Sequence, residues 1–378
     1  MAPPRVLVLG AGFGGLELAS CLSEELGDDV DVTLIDKGDA FVFGYSKLDV
    51  MFGRTTADAV RLPYRDVAKP GVRLLKETIT AIEPEARRVT TDAGVHEGEI
   101  MVVALGADYD IDATPGLAEG GNEFYSVHGA ERMRELIPEF SRGRAVVGVC
   151  GAPYKCPPAP SEAALLLHDH LSVRGVRDRC EITFLMPLPS PVPPSPDTSK
   201  ALEQAFEERG IDFIPGARIA SVDADRSAAV LENGDEVPFD LFLGVPKHRA
   251  PDVVIDSGMT TEGYVPVKSG TLETEYPGVY AVGDVATIGV PKAGVFSERE
   301  ARAVAASLIA DIKGGDRPPP YDGKGSCYIE FGGGRVGRVD VDFLSGPTPT
   351  GTFQAPSEAL RAEKEQFGST RRARWFGR

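Results

Sequence analysis

One stretch near the start of the chain constrains the fold more than any other. Residues 5–36 read RVLVLGAGFGGLELASCLSEELGDDVDVTLID: an apolar strand, a glycine-rich turn, an amphipathic helix and a second apolar strand that ends at Asp36. Gly10 permits the tight turn, Gly12 lets backbone approach a pyrophosphate, and Gly15 lets the helix pack closely on the strand. The N-terminus of that helix attracts the same anion. The stretch therefore predicts a dinucleotide-binding unit of an α/β protein.

Asp36 indicates which dinucleotide the turn would hold. It closes the second strand of the stretch, the position from which a carboxylate accepts hydrogen bonds from a ribose and disfavours a 2′-phosphate. We include the neighbouring Lys37 in the predicted cofactor site. A tight turn in an empty doubly wound fold is the plainer alternative, but strand, glycines, helix, strand and acid all occur in the required order.

A second turn of glycine and acid lies far downstream, in TLETEYPGVYAVGDVATI (271–288), where an apolar strand ends at Gly283 and Asp284. With the first motif, this turn resembles the FAD-binding pattern of the pyridine nucleotide-disulfide oxidoreductase superfamily. In that superfamily the Gly-Asp carboxylate contacts the ribityl chain of the flavin. The stretch VVALGAD (102–108) resembles the strand and turn where the chain leaves the FAD domain, which adds Gly106 to the expected site.

A second glycine-rich fingerprint is missing from the middle of the chain. Superfamily members that use NAD(P)H carry one there, but here the corresponding strand, residues 145–149, is followed by CGAPYKCPP (150–158), which we call the cysteine loop. Its prolines supply no amide N–H, and Tyr154 and Lys155 stand where glycines would let a pyrophosphate approach. We therefore expect no nicotinamide site, which separates the chain from type II NADH dehydrogenases.

The cysteine loop points to a different electron donor. Its Cys-Pro-Pro-X-Pro segment resembles that of flavocytochrome c sulfide dehydrogenases, relatives of sulfide:quinone oxidoreductases, whose cysteine lies at the flavin. Their partner cysteine occurs late in the chain in a Cys-Tyr motif, and GKGSCYIEF places Cys327 there. The resemblance implies that Cys156 and Cys327 form a redox disulfide, that hydrosulfide attacks one sulfur, and that two electrons pass to FAD. Spacing alone leaves two unpaired thiols open, because the two cysteines lie in distant parts of the chain.

Lys292, in VPKAGVF, completes the expected catalytic set. It matches a lysine in the Pro-Lys-X-Gly segment that leads, in the related enzymes, into the helix beside the flavin. A cation there would stabilise reduced, anionic flavin. An exposed lysine at the start of a helix is the equally weighted alternative.

The other cysteines and the histidines carry weaker signals. We expect Cys21, Cys150 and Cys180 to act as small buried apolar residues. The histidines have no metal-ligand company, so we expect no metal site; His248 falls in a predicted polar loop, and His128 is the best candidate for a proton relay.

Two regions of the chain, residues 39–50 and the C-terminal tail, depart from the family pattern. The flavocytochrome enzymes link FAD to an early cysteine, but the similar region here, DAFVFGYSKLDV (39–50), contains none, so we expect non-covalent FAD. The tail ends in basic and aromatic residues: Arg371, Arg372, Arg374, Trp375, Phe376 and Arg378. Such a tail suits an anionic membrane surface, or else it folds back on the protein with Trp375 as its anchor.

Charge and hydropathy exclude several partner classes. The net charge of −17 and the absence of a Lys/Arg-rich stripe before the last eighteen residues argue against nucleic acid. No run of 18 apolar residues occurs, so we expect no membrane-spanning helix. The chain runs from Met-Ala-Pro-Pro directly into a strand without resembling a signal peptide, so we expect a cytoplasmic protein, with a peripheral position at the inner face of the membrane left open.

Together these features predict an α/β fold with two Rossmann-like dinucleotide-binding domains, the second inserted in the first, and a C-terminal segment. We place the FAD-binding domain at residues 1–112 and 267–325, the second domain, without NAD, at 113–266, and the C-terminal segment at 326–378. The expected activity is FAD-dependent oxidation of sulfide or a related sulfur species, with a quinone or protein electron acceptor.

Two further functions fit the same residues. One is an NADH:quinone-type or thiol-linked flavin reductase, which keeps the flavin and uses another donor. The other is a flavin-bearing electron-transfer or redox-switch partner protein, in which the basic tail docks on another subunit. Homodimerisation is left open.

Overall fold

The computed structural model describes residues 2–377, which form an α/β fold with two parallel sheets. The first part of the chain contains β1 (Arg5–Leu9), α1 (Phe13–Leu26), β2 (Asp31–Asp36), β3 (Ala40–Phe41), α2 (Ser46–Met51), β4 (Leu62–Pro63), β5 (Val72–Lys76), β6 (Ile79–Glu83), β7 (Arg88–Thr91), β8 (Val95–Glu97), β9 (Ile100–Val103) and β10 (Asp108–Asp110).

The middle of the chain continues with α3 (Leu117–Gly120), α4 (Val127–Glu139), β11 (Gly143–Val149), α5 (Ala159–Val173), β12 (Cys180–Met186), α6 (Pro196–Glu208), β13 (Ile211–Pro215), β14 (Ile219–Asp223), β15 (Ala228–Leu231), β16 (Glu236–Pro238), β17 (Leu241–Val245), β18 (Lys247–Arg249), α7 (Asp252–Asp256) and β19 (Val265–Pro266). The last part contains β20 (Val279–Ala281), β21 (Ala286–Thr287), α8 (Gly294–Lys313), β22 (Lys324–Glu330), β23 (Val336–Asp342), β24 (Thr350–Ser357) and α9 (Glu358–Phe376).

The first sheet has the strand order β20-β9-β1-β2-β5, and all of its pairings are parallel. Its central strands are nearly continuous apolar runs because helices and hairpins cover both faces, as parallel sheets require. Helices α1 and α8 pack against each other on one face. The carboxyl ends of β1, β9 and β20 therefore meet at one edge, where the predicted FAD-binding turns follow them.

The second sheet, of order β13-β12-β11-β17, is also parallel and is built from the chain between β10 and β19. Helices α5 and α6 pack against its strands. The predicted fold class, with two Rossmann-like units and the second inserted in the first, is confirmed. The residue boundaries that we gave for the three regions stay predictions.

The C-terminal segment folds back on the first sheet's domain. Strands β22, β23 and β24 form an antiparallel sheet, and α9 then returns to α1. The indole N–H of Trp375 donates to Glu17 in α1 at 2.7 Å, and its ring meets Phe13 and Phe41 edge to face.

This packing places the aromatic end of the tail inside the protein. Trp375 is only 1 % exposed and Phe376 4 %, so the suggestion that these rings sit in a membrane interface is wrong. Two of the arginines are also used internally: Arg374 pairs with Glu17 and Glu24, and Arg371 with Glu298. Within residues 2–377 no helix has the length and hydropathy needed to cross a bilayer.

Candidate active site

A cavity of about 290 Å³ lies where the two parallel sheets and the C-terminal segment meet. Its walls come from the turns after β1, β9 and β20, the segments 41–48 and 124–125, the cysteine loop with the start of α5, the start of α8, and parts of β22 and α9. The predicted site residues among its lining are Gly12, Gly106, Cys156, Gly283, Asp284 and Cys327. Residues far apart in sequence thus line one cavity.

The turn of residues 10–15, which we call the glycine turn, has the close packing that its glycines predict. A Cβ on Gly10, whose φ is +100°, would lie 2.5 Å from the Ala104 carbonyl oxygen, and one on Gly15 would lie 1.9 Å from the Gly10 carbonyl oxygen. Nothing lies within 4 Å of a Cβ position on Gly12. No side chain caps the first turn of α1, so its N–H groups are free to receive an anion approaching past Gly12.

Asp36 stabilises the glycine turn by a hydrogen bond to its backbone. Its carboxylate accepts the amide N–H of Ala11 and that of Gly38, both at 2.7 Å. Asp36, Gly10 and Gly15 are not among the cavity's lining residues, and the side chain of Lys37 is exposed. A contact between Asp36 or Lys37 and the cofactor stays a prediction.

The turn after β20 offers an unpaired acceptor to the cavity. Asp284 lines the cavity, its Oδ1 is buried, and within the described residues that oxygen has no hydrogen-bond partner. Burial raises the pKa of this carboxyl above its usual range. A buried acceptor of this kind needs a donor, and the hydroxyls of a ribityl chain supply one. Together with the open approach at Gly12 and Gly106, this is a site that fits FAD.

The cysteine loop directs its thiol into the same cavity. Cys156 has φ +50°, in the left-handed region that is costly for a residue with a Cβ. Two backbone hydrogen bonds hold it there: its N–H donates to the Lys292 carbonyl at 2.7 Å, and its carbonyl accepts the Ala159 N–H at 2.9 Å. Cys327 reaches the cavity from β22.

Both cavity cysteines are free thiols in this structure. Burial and the nearby charge of Glu162 raise the pKa of both, that of Cys327 to about 12. The two thiols also interact electrostatically with each other. Buried, protonated thiols are poor nucleophiles, so a reaction at this pair needs either the disulfide form or a group that removes a proton.

Glu162 is such a group, and the sequence did not reveal it. It is 2 % exposed, lines the cavity from the first turn of α5, and accepts the Glu330 N–H at 2.9 Å. Burial raises its pKa to about 7. Lys364 of α9 lies 3.9 Å from Glu162 and donates to the Glu330 carboxylate at 2.6 Å, which balances the local charge.

Lys292 is placed differently from the expected position beside the ring. It is not among the lining residues of the cavity. Its ammonium donates to the carbonyls of Asp284 at 2.7 Å and Ala286 at 3.2 Å and lies 3.5 Å from the centre of the Tyr264 ring. Burial lowers its pKa to about 8. In this geometry Lys292 holds the turn that carries Asp284, and its effect on a flavin stays a prediction.

Two histidine predictions meet different environments. The placement of His248 in a polar loop is wrong: it lies in β18, is 0 % exposed and packs edge to face on Tyr109 and Tyr125. Burial, aided by the charge of Lys155, lowers its pKa to about 3. His128 is exposed in the first turn of α4 and does not line the cavity.

A wider, polar cleft of about 980 Å³ adjoins the cavity between α8, the antiparallel sheet and α9. The two spaces share Val295, Ser326, Tyr328 and Phe367. Charged residues of the cleft pair with one another, as Arg338 does with Asp340. The glycine turn, both cavity cysteines and Asp284 all line or border the smaller cavity, which is therefore the candidate active site.

Residues 4–307 match the family described as pyridine nucleotide-disulphide oxidoreductase. The chain belongs to that family. It is accordingly an FAD-dependent oxidoreductase, and the cofactor and enzyme class that we predicted are confirmed.

The chain is similar to sulfide:quinone oxidoreductases over most of its length. It is 25 % identical to the mitochondrial enzyme of Mus musculus over 374 residues, which is 94 % of this chain and 82 % of that protein. It is 28 % identical to the sulfide-quinone reductase of Aquifex aeolicus over 354 residues, 87 % of this chain and 81 % of that one. The crystal structure of the Aquifex aeolicus sulfide:quinone oxidoreductase has the same fold, with a TM-score of 0.85 at 24 % identity, covering 97 % of this chain and 90 % of that one.

Proposed function

We propose that this protein oxidises sulfide through a Cys156/Cys327 redox disulfide and passes two electrons, by way of FAD, to a quinone. One observation carries the proposal: two cysteines from distant parts of the sequence line the same cavity as Gly12 and Asp284 of the flavin-binding turns. The proteins of similar sequence whose names state sulfide and quinone as reactants support the choice of donor and acceptor.

The first chemical step is thiol–disulfide exchange. Hydrosulfide attacks one sulfur of the Cys156–Cys327 bond, a new S–S bond forms to the incoming sulfur, and the other cysteine leaves as a thiolate. One cysteine then carries a persulfide, whose extra sulfur is the oxidised form of the donor. A second hydrosulfide removes the outer sulfur as disulfane, which leaves two cysteine thiolates. Re-forming the Cys156–Cys327 bond from these thiolates releases two electrons, for which bound FAD would supply the acceptor.

The residues around the pair have distinct tasks in this scheme. Gly12, Gly106 and Asp284 would hold the cofactor. The cysteine loop fixes Cys156 in its strained conformation, which limits the positions that the sulfur can sample. Glu162, with its pKa raised to about 7 by burial, can accept the proton of the incoming sulfur species near neutral pH.

A nicotinamide donor fits the structure less well. Helix α1, which follows the glycine turn, has no acidic residue in its first turn. Helix α5, which follows the cysteine loop, has Glu162 in its first turn. A carboxylate at the N-terminus of a helix already occupies the position that a pyrophosphate needs. The cysteine loop therefore disfavours the NADH-dependent alternative.

Anaerobic titration of the oxidised holoenzyme distinguishes the alternatives. We expect stoichiometric sulfide to bleach the flavin absorbance and NADH to leave it unchanged, with reoxidation by a water-soluble ubiquinone analogue. Bleaching by NADH and not by sulfide would establish the NADH:quinone-type function instead. A flavin that responds to neither donor, yet is reduced by a protein partner, would establish the electron-transfer role.

A further inference from the structure

Two lysines on the cavity wall, Lys47 and Lys155, form no salt bridge within the described residues, although the charges of Glu123 and Asp284 act on both from a greater distance. The Lys47 ammonium donates to the Tyr125 carbonyl at 2.6 Å, and the Lys155 ammonium donates to the Ala107 carbonyl at 2.9 Å and lies 4.5 Å from the centre of the Tyr109 ring. Both lysines line the cavity. Among residues 2–377, neither ammonium is within 4.0 Å of a carboxylate oxygen, whereas Lys364 on the opposite wall is paired with Glu330.

These contacts leave hydrogen-bonding capacity toward the cavity. An ammonium has three N–H donors, and the contacts above use one on each lysine. A buried charge is normally paired or hydrogen-bonded throughout. Burial, and next the charge of Lys155, lowers the pKa of Lys47 to about 8, so Lys47 is still mostly protonated at pH 7. The unused N–H donors and the positive charge suit an anion bound in the cavity.

The two lysines line the same cavity as the reactive sulfur. Lys155 precedes Cys156 in the chain, and Lys47 interacts electrostatically with that cysteine. The protein as a whole carries a net charge of −17, which repels small anions from most of its surface. A pair of cations on the cavity wall would therefore attract a donor that is itself negatively charged.

We propose that Lys47 and Lys155 form a binding site for a small monoanionic sulfur donor, hydrosulfide, and hold it next to Cys156. This inference rests on the proposed function and extends it: the donor is bound as an anion before the disulfide is attacked.

The test compares three matched variants, Lys47→Met, Lys155→Met and, as a control, Lys200→Met, whose lysine is exposed on α6 outside the cavity. Stopped-flow reduction over a range of sulfide concentrations measures donor binding. Removing one charge-assisted hydrogen bond should weaken it by about tenfold or more, with the limiting rate changed much less. Lys200→Met should match the wild type. Lys155→Arg, which keeps the charge, should restore part of the affinity.

A second readout does not depend on turnover. Thiocyanate, an unreactive monoanion, should perturb the flavin absorbance of the oxidised wild-type holoenzyme. The Lys47→Met and Lys155→Met variants should lose that response, and the Lys200→Met control should keep it. Unchanged sulfide affinity in both variants would overturn the inference, as would a lowered flavin midpoint potential at unchanged affinity, which would assign the lysines to the reduced flavin. If sulfide fails to reduce even the wild type, the proposed function fails, while the thiocyanate response still decides whether the anion site exists.

Discussion

Two turns in this protein follow the same plan of parallel strand, turn and helix, and their chemistry is opposite. The glycine turn, between β1 and α1, is closely packed, has an uncapped helix N-terminus behind it and leaves open space at Gly12. The cysteine loop, between β11 and α5, has prolines in place of amide donors, projects Cys156 at φ +50° and places Glu162 at the helix N-terminus.

The difference shows how little of a dinucleotide-binding fold decides its ligand. Both sheets and both helices are of the ordinary parallel type. A few residues between strand and helix determine whether the turn leaves its amide donors open or directs a sulfur into the cavity. Function in such folds is located in the turn and not in the sheet.

The largest expected effect comes from removing the sulfur of the cysteine loop. Cys156→Ser should leave a folded, yellow protein whose reduction by sulfide is slower by about 10³-fold or more, as for other lost nucleophiles. Stopped-flow bleaching measures it. Cys150→Ser is the matched control, because Cys150 is in the same loop and is buried beside Gly148 instead of lining the cavity. Rapid bleaching of the Cys156→Ser variant would remove the cysteine chemistry.

The second prediction concerns the support that α1, the helix after the glycine turn, receives from α9. Trp375→Ala removes a buried ring and its hydrogen bond to Glu17 in α1, and should lower the free energy of unfolding by about 3–5 kcal/mol. Urea denaturation measures the change, with the exposed Arg372→Ala as control. Equal stability of the two variants would show that α9 is not an anchor of α1.

The third prediction separates packing from ligand approach within the glycine turn. A methyl group on Gly15 would meet the Gly10 carbonyl at 1.9 Å, whereas one on Gly12 would meet nothing within 4 Å. Gly15→Ala should therefore destabilise the apoprotein by about 1–3 kcal/mol. Gly12→Ala should leave the apoprotein as stable as the wild type and weaken FAD binding by about tenfold. Thermal unfolding and flavin titration measure the two; unchanged FAD affinity in Gly12→Ala would place the cofactor elsewhere.

The smallest effect is expected from Glu162, the carboxylate in the first turn of α5, which is the helix that follows the cysteine loop. Because burial raises the pKa of Glu162 to about 7, its proton-accepting form becomes the major form only above that pH. The wild-type rate of sulfide-dependent reduction, divided by that of Glu162→Gln at the same pH, should rise by severalfold from pH 6 to pH 8. The ratio cancels the titration of sulfide itself. A ratio that stays constant would exclude Glu162 as the proton acceptor.

Local motifs were the predictable part of this protein. The glycine turn follows from residues within a short segment of the chain, and the packing of Gly10 and Gly15 is what their spacing implies. The meeting of Cys156 with Cys327 was predictable only through resemblance, since no local rule relates positions so far apart in the sequence.

The buried charges were not predictable, for a physical reason. Glu162, Lys47 and Lys364 are charged residues that no local motif marks as buried, and their burial arises only where α5, α2 and α9 all border the cavity. Lys292 was predictable in position but not in orientation. Its place just before α8 does not determine that its side chain turns toward the Asp284 carbonyl.

The most direct test of the account maps the disulfide in the air-oxidised holoenzyme. The protein is denatured in the presence of N-ethylmaleimide, digested and analysed by mass spectrometry, with and without prior anaerobic treatment with sulfide. The account predicts a peptide pair joined through Cys156 and Cys327 before treatment, and maleimide-labelled or persulfidated peptides in its place afterwards. Maleimide on both cysteines of the oxidised enzyme would contradict it.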